Sequence, residues 1–233
     1  NIVSVKRNGE ELSIPRAASC AAAAIDETDF QLLDVAGAFD FALSADLDDV
    51  RDIIERQIEY NTAISREGLS GSYGASIGKL VMRRGDDARN RAIAYAAAGS
   101  DARMSGCDMP VVINSGSGNQ GLTVSLPVIE YAKHLGVCRE KLYRALLISN
   151  LTSIFQKHFI GSLSAFCGAV TAAAGCGAAI TWLHGGKLEN ICDTIANTVA
   201  NVGGMVCDGA KASCAAKIAS AVDAAIMAHH LSM

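Results

Sequence analysis

Residues 163–182 contain no charged side chain and consist mostly of Ala, Gly, Ser and Thr. A helix with this pattern has no polar face to present to water, so it must be buried on all sides. Its length matches a membrane span, but its small residues contribute little to insertion and allow neighbouring helices to approach closely. The pattern predicts the central helix of a helical domain, with a membrane helix as the weaker alternative.

Helical periodicity surrounds this stretch in the second half of the chain. Apolar residues recur at helical spacing there, which predicts helices over residues 122–135, 139–159, 187–202 and 210–230. Gly203 and Gly204 are typical of the end of a helix. These helices are expected to wrap the central one.

The first half of the chain predicts a hairpin followed by helices. Residues 2–14 alternate between apolar and polar around Asn8 and Gly9, which is typical of a β-hairpin. The pattern of residues 17–60 predicts two or three acidic helices, and Asp46 is expected to cap the one that ends near Tyr60.

The four glycines within residues 65–78 leave two alternatives, a linker or a loop that approaches another backbone closely. Residues 87–104 return to a helical pattern. The sequence as a whole predicts a mainly α fold: a helical domain around a buried central helix, with a small N-terminal β-hairpin. The expected division is residues 1–66, with the hairpin and the acidic helices, and residues 67–233.

Composition narrows the classes of function. Half of the 233 residues are apolar, few are aromatic, and only three are prolines, which suits close-packed helices better than a β-sandwich. A net charge of −4 argues against nucleic acid as the main partner. Eight cysteines without a secretory signal or a small-disulfide spacing favour reduced thiols in the cytoplasm. The start at Asn1, inside a strand pattern, favours a fragment of a longer protein.

Residues 114–121, Asn-Ser-Gly-Ser-Gly-Asn-Gln-Gly, form a glycine loop before the helix predicted from residue 122. Three glycines match the letters of a dinucleotide fingerprint, but helix follows where a βαβ unit needs a second strand. Glycines free backbone N–H groups to point at one spot, and the helix adds its positive end. Side chains that add hydrogen-bonding groups are Ser115, Ser117, Asn119 and Gln120. The loop predicts a socket for a small anion such as a carboxylate, or otherwise a polar helix cap.

Three cysteines differ from the others in their context: Cys167, Cys207 and Cys214. On one continuous helix Cys207 and Cys214 would lie about 10 Å apart along the axis, so a chain break at residues 203–204 or 208–209 is needed to bring them together. Cys176 lies on the opposite side of the central helix from Cys167 and is expected to pack in the core.

The residues alone leave three hypotheses for these thiols. Structural zinc sites usually contain closer Cys-x-x-Cys pairs. Three thiolates can also hold an iron–sulfur cluster, and on a four-iron cube they leave one iron open as a Lewis acid. The third hypothesis is buried, inert cysteine.

Three sequence motifs resemble those of a known enzyme family. Residues 115–121 (Ser-Gly-Ser-Gly-Asn-Gln-Gly), residues 161–168 (Gly-Ser-Leu-Ser-Ala-Phe-Cys-Gly) and the cysteine-containing residues 203–215 are similar to motifs of the bacterial and archaeal L-cysteine desulfidase family. That family is related to the α-chain of iron–sulfur L-serine dehydratases. The resemblance extends from about residue 68 to residue 233.

The resemblance implies a lyase that removes the β-substituent of a small L-amino acid without pyridoxal phosphate, converting L-cysteine to sulfide, ammonia and pyruvate. It implies a [4Fe–4S] cluster held by Cys167, Cys207 and Cys214, with substrate bound at the open iron. The substrate carboxylate is then expected at Ser115, Ser117, Asn119 and Gln120. Lys211, expected one turn into the following helix, either assists by its charge or is solvated and idle.

The chain departs from the family pattern at its N-terminal side. The family's Gly-Cys-Thr-Glu-Pro motif, whose Cys is regarded as the base, is absent, and Cys20 does not match it. The base is therefore expected outside this chain, and a non-catalytic helical binding or assembly domain is the competing hypothesis. The expected partners are a small amino-acid substrate and either further copies in a homo-oligomer or a missing N-terminal segment, with no nucleic acid and no membrane.

Overall fold

The computed structural model describes residues 5–8, 10–12, 32–161 and 164–233. The chain forms two compact units, residues 1–32 and residues 33–233. In the first unit the strands β1 (Val5–Arg7) and β2 (Glu10–Leu12) pair antiparallel, with Val5 opposite Leu12. Asn8 follows β1 with a φ of 52°, a left-handed conformation that Asn tolerates. The predicted hairpin is confirmed in this range.

The second unit is helical. The described residues from 33 to 233 contain nine helices: α1 (Val35–Ser44), α2 (Arg51–Ser70), α3 (Ile77–Met82), α4 (Ala88–Met104), α5 (Gly118–Leu135), α6 (Arg139–Ile160), α7 (Gly168–Leu183), α8 (Leu188–Val202) and α9 (Ser213–Ser232). The mainly α fold class is therefore confirmed. Helices expected within residues 17–31 lie outside the described residues.

Helix α7 is the central helix that the uncharged stretch predicts. Every residue from Ala169 to Thr181 is buried, and α7 packs against α5, α6, α8 and α9. Gly175 lets α7 approach α6, because a Cβ there would lie 3.3 Å from the backbone N of Ser153 and closer still to the carbonyl oxygen of Ser149. None of the helices in the described part of the chain combines the length and the hydrophobicity that a membrane span requires.

Helix α2 differs from the prediction at both ends. It continues ten residues beyond Tyr60, to Ser70. Asp46 is not its N-cap: its carboxylate accepts a hydrogen bond from the N–H of Asp48 in the turn before the helix, and Val50 occupies the cap position without a side-chain hydrogen bond. The Asp46 carboxylate, predicted to cap the helix, therefore stabilises a local turn instead.

The glycine-rich segment 65–78 is neither a linker nor, at its start, a loop. Its first six residues complete α2, where Gly68 lies so close to α4 that an added Cβ would be 2.6 Å from the carbonyl carbon of Ala98. Gly78 in α3 meets the same residue, with its Cβ position 2.5 Å from the Ala98 Cβ. Close backbone approach is thus the alternative that is confirmed. A domain boundary at residue 66, which lies inside the continuous α2, stays a prediction.

Candidate functional site

The glycine loop and the three selected cysteines meet at one cleft of about 340 Å³. Its walls come from the ends of α4 and α6, the starts of α5, α7 and α9, and the loop after α8. Among the lining residues are Arg103, Ser117, Asn119, Gln120, Lys157, Cys167, Cys207 and Cys214. Segments far apart in the sequence therefore supply the two halves of the predicted site to the same space.

Two backbone hydrogen bonds bring Cys167 and Cys207 together. The N–H of Cys167 donates to the carbonyl of Met205 at 2.9 Å, and the N–H of Cys207 donates to the carbonyl of Ala165 at 2.8 Å. These bonds make an antiparallel bridge between Phe166 and Val206. Because side chains alternate along extended chain, the two cysteines lie on the same face of the bridge. The bridge also explains why α7 begins at Gly168 and not at residue 163.

Cys214 reaches the cleft through a turn before α9. The chain reverses at Gly209, which has a φ of 92°, and the thiol of Cys214 lies 3.6 Å from the carbonyl oxygen of Gly209. The N–H of Cys214 donates to the carbonyl of Lys211 at 3.0 Å. The predicted chain break at residues 208–209 is confirmed. Helix α9 consequently begins at Ser213, later than residue 210.

Lys217 fastens the cysteine-bearing loop to α9. Its Nζ donates to the carbonyl of Val206 at 3.0 Å and forms an ion pair with Asp208. The hydrogen bond from Lys217 lowers the pKa of Asp208, and the same bond raises the pKa of Lys217. This pair was not predicted, since its contact depends on the turn at Gly209.

The thiols differ in their surroundings. Burial is the main cause that raises the pKa of Cys167, and the nearby thiols of Cys207 and Cys214 add to it. A cation held between the three sulfurs would favour their thiolate forms. Cys176 is fully buried, its Sγ lies 3.1 Å from the carbonyl oxygen of Ala173, and burial raises its pKa. It packs in the core, as predicted.

The three cysteines of the cleft supply the kind of ligand that an iron–sulfur cluster takes. Among the described residues, no three His, Cys, Asp or Glu side chains stand close enough together to hold one ion. A cluster of several irons is wider than one ion, so its ligands stand further apart. Three thiols on the walls of a cleft of about 340 Å³ agree with such a group.

The glycine loop turns tightly before α5. Asn114 and Ser117 exchange backbone hydrogen bonds of 3.2 and 3.0 Å, and between them Ser115 and Gly116 have φ values of 47° and 80°. The hydroxyl of Ser117 caps α5 by accepting from the N–H of Gln120 at 3.4 Å. The loop is therefore a helix cap, as one alternative predicted, and it also lines the cleft. The anion socket stays a prediction.

Two predicted residues do not line the cleft. The hydroxyl of Ser115 donates to Asn114 Oδ1 at 2.9 Å, within the loop itself. Lys211 is exposed and precedes α9, so its expected position one turn into that helix is wrong. The turn at Gly209 displaces the start of the helix past it.

Buried amides hold the loop in place. Asn114 donates from Nδ2 to the carbonyl oxygen and to Oδ1 of Asn150, at 3.2 and 3.0 Å. Asn61, fully buried in α2, accepts from the N–H of Val112 at 2.9 Å and donates to the carbonyl of Gly121 at 3.1 Å. Asn61 and Asn150 belong to no motif and were not predicted, although an amide on a core-facing side of a helix is a usable signal.

Two cations of the cleft were also missed. Arg103 in the last turn of α4 donates from Nη1 to Asn119 Oδ1 at 3.3 Å, and Lys157 lies in the last turn of α6. Among the described residues neither forms an ion pair, and no Asp or Glu lines the cleft. The described lining is positively charged, which favours an anionic ligand.

Comparison with known proteins identifies the family. The family described as serine dehydratase alpha chain matches residues 12–233. The chain belongs to the serine dehydratase alpha chain family. No solved structure matches it.

Several relatives of this serine dehydratase alpha chain homologue carry the name UPF0597 protein. One from Lachnoclostridium phytofermentans is 62% identical over 206 residues, which cover 88% of this chain and 49% of that protein. One from Desulfitobacterium hafniense is 53% identical over 230 residues, 98% of this chain and 53% of that protein. A third, from Treponema denticola, is 50% identical over 239 aligned residues, 100% of this chain and 55% of that protein. The chain spans about half the length of these relatives.

Proposed function

We propose that this chain is the cluster-binding and substrate-binding part of an iron–sulfur lyase that acts on a small L-amino acid. The proposed substrate is L-cysteine, and the products are pyruvate, ammonia and sulfide, formed without pyridoxal phosphate. The observation that carries this proposal is the meeting of Cys167, Cys207 and Cys214 with the glycine loop at one cleft. Membership of the serine dehydratase alpha chain family supports the reaction class.

The three thiols are the proposed ligands of a [4Fe–4S] cluster. Cys167 and Cys207 are held by the bridge between the start of α7 and the loop after α8, and Cys214 is held by the first turn of α9. When bound, such a cluster supplies a Lewis acid for the leaving group of the substrate.

The start of α5 is the proposed carboxylate site. Its first N–H groups and the positive end of its dipole favour an anion, and Ser117, Asn119 and Gln120 line the cleft beside them. Gln120 is 6% exposed, and its Oε1 has no hydrogen-bond partner in the described protein. A substrate ammonium group is a donor of the kind that this oxygen lacks. Direct substrate contacts of Ser115 and Lys211 stay predictions.

The reaction needs a base in addition to these groups. The Cα proton passes to the base, and the Cβ–S bond breaks with its electron pair leaving on sulfur as hydrosulfide. The resulting 2-aminoacrylate takes up water and releases ammonia to give pyruvate. Holding the carboxylate at a fixed distance aligns the Cα–H and Cβ–S bonds for this elimination. Such positioning lowers the activation barrier by several kcal/mol.

We propose that the base comes from an N-terminal segment outside this chain or from another copy of the chain. No Asp, Glu or His is among the described residues that line the cleft. Beside the cleft, Phe159 is 72% exposed and Phe166 is 53% exposed, and both border an apolar groove of about 480 Å³ that also includes Cys167. The chain spans about half the length of its relatives, so the remaining length is the proposed occupant of this groove.

Anaerobic purification followed by iron and sulfide analysis tests the cluster. We expect the brown chromophore and bound iron in the parent chain, and their loss in Cys167→Ser, Cys207→Ser and Cys214→Ser, because each removes one thiolate ligand. Cys192→Ser is the matched control: this exposed cysteine on α8 does not line the cleft and its replacement should leave the iron content unchanged. Cys176→Ser should also retain the cluster. A parent chain without iron after anaerobic reconstitution would contradict the proposal.

A second function is favoured by one observation, the lack of a carboxylate or His among the described residues of the cleft wall. The chain would then be a non-catalytic helical domain that binds small anions or assembles with other subunits. An iron-free chain that binds L-cysteine or pyruvate would support this alternative. Release of sulfide and pyruvate from L-cysteine, compared with pyruvate from L-serine, would support the lyase and establish its substrate.

A further inference from the structure

The side chain of Arg103 crosses from the end of α4 to the first turn of α5. Gly118 makes room for it, since a Cβ at this position would lie 2.9 Å from Arg103 Cζ and closer still to Nε. From this position Arg103 Nη1 donates to Asn119 Oδ1 at 3.3 Å. The guanidinium therefore contacts one specific residue of the proposed carboxylate site.

This contact determines which way the Asn119 amide points. A guanidinium has only donors, so the amide must turn its oxygen towards Arg103 and its NH2 group away from it. Asn119 lines the cleft, and its Nδ2 donates to no group in the described part of the protein. Its two N–H donors are therefore left for a ligand.

The charges around Asn119 point to an anionic ligand. Arg103 has no carboxylate partner among the described residues, and it lies at the positive end of the α5 dipole, where a second positive charge is unfavourable. Lys157 adds another cation to the same cleft. Nearby, the buried Gln120 side chain has an oxygen without a partner. A bound amino acid compensates both features: its carboxylate offsets the positive charges, and its ammonium group can donate to the Gln120 oxygen.

We propose that Arg103 is a positioning residue that orients the Asn119 amide, so that the cleft binds a carboxylate in preference to a neutral group of the same shape. Arg103 acts through Asn119: its hydrogen bond presents two N–H donors to the carboxylate. This inference deepens the proposed function and rests on the carboxylate site at the start of α5.

Binding of pyruvate and of its neutral amide, pyruvamide, to the chain tests this inference by titration NMR. We expect pyruvate to bind more tightly than pyruvamide. Arg103→Lys keeps the charge but loses the planar donor. It should weaken pyruvate binding by about tenfold, since the hydrogen bond from the charged guanidinium to Asn119 Oδ1, which orients the amide, is lost. Asn119→Asp keeps the acceptor for Arg103 but removes both N–H donors, and it should abolish the preference for pyruvate. Arg83→Lys, at an exposed arginine outside the cleft lining, is the matched control and should bind pyruvate as the parent does.

A double-mutant cycle separates positioning from direct contact. If Arg103 acts through Asn119, then Arg103→Lys in an Asn119→Ala background should weaken binding by less than about twofold, because residues acting as one unit are not additive. Fully additive effects, equal binding of pyruvate and pyruvamide, or no pyruvate binding by the parent chain would each overturn the inference. If Arg103→Lys does not fold, as judged by its thermal unfolding, Asn119→Asp decides: an unchanged preference for pyruvate overturns the inference.

Iron analysis on the same samples distinguishes this inference from the proposed function. An iron-free chain with coupled Arg103 and Asn119 effects would support the inference and contradict the lyase. A cluster-loaded chain that eliminates sulfide, but in which the two residues are uncoupled, would do the reverse.

Discussion

At the scale of single residues, Gly168 lies between Cys167, a proposed cluster ligand, and Gln120 of the proposed carboxylate site. It follows Cys167 directly, and a Cβ at this position would lie 2.6 Å from Gln120 Cδ. Gly168→Ala should displace the Gln120 amide, which is the movable end of a side chain, without moving the backbone. We expect pyruvate binding to weaken by roughly fivefold, because a polar contact of the ligand is lost. Titration NMR on the variant measures this change.

The fold should tolerate this substitution. Displacing the Gln120 amide costs stability, but Ala is favoured over Gly in a helix and offsets part of this cost. The free energy of unfolding of Gly168→Ala should therefore fall by less than about 1 kcal/mol. Gly204→Ala is the control for binding, since a Cβ at Gly204 meets nothing within 4 Å. Unchanged pyruvate affinity in Gly168→Ala would show that the position of Gln120 does not matter for binding.

At the scale of secondary-structure elements, α2 and α4 pack backbone to backbone at Gly68. A methyl group there meets the carbonyl group of Ala98, and neither backbone can yield without separating the helices. Gly68→Ala should therefore lower the free energy of unfolding by about 1–3 kcal/mol, the usual range for overpacking. Urea unfolding followed by circular dichroism measures the loss.

The control for this prediction lies on the same helix. Glu59 is exposed, and Glu59→Ala should change the free energy of unfolding by no more than about 0.5 kcal/mol. Equal stability of Gly68→Ala and Glu59→Ala would mean that α2 and α4 can separate without loss of packing.

At the scale of the whole molecule, His229 makes stability depend on pH. It is 2% exposed in α9, and its Nδ1 lies 3.0 Å from Thr181 Oγ1 in α7. Burial is the main cause that lowers its pKa from 6.5 to about 4, and the rings of His184 and His230, with centroids 4.5 and 5.0 Å away, add to it. The core therefore contains a neutral imidazole.

The direction of the pH effect follows from the lowered pKa. Between about pH 6.5 and pH 4 the unfolded chain binds a proton that the folded chain excludes, so stability falls as the pH falls through this window. Above it, His229 contributes no pH dependence. We expect the loss to be on the order of 2 kcal/mol by pH 4.5, and to be absent from His229→Gln in urea unfolding at a series of pH values.

A second variant separates the effect of His229 from that of the other ionisable groups. His134→Gln replaces an exposed His in the last turn of α5 and should keep the pH profile of the parent. Parallel profiles for the parent and His229→Gln would show that His229 is protonated in the folded protein.

Local pattern alone was sufficient for the fold class, and it also singled out several residues that line the cleft. An uncharged helix must be buried wherever it lies, so the central position of α7 follows from its composition. Alternation around Asn8 predicts the hairpin in the same way. The loop residues Ser117, Asn119 and Gln120, and the three cysteines, are recognisable because their motifs are contiguous in the sequence.

Which groups share the cleft, and where the helices begin, depends on contacts between distant segments. Arg103 and Lys157 reach it from the ends of α4 and α6, and nothing in their own segments distinguishes them from solvated cations. Helix α7 begins at Gly168 because Cys167 and Cys207 bond to backbone 38 and 42 residues away in sequence, at Met205 and Ala165 respectively. Such bonds join segments that are distant in the sequence. The interactions that fix the positions of these residues are therefore not contained in any local stretch of the sequence.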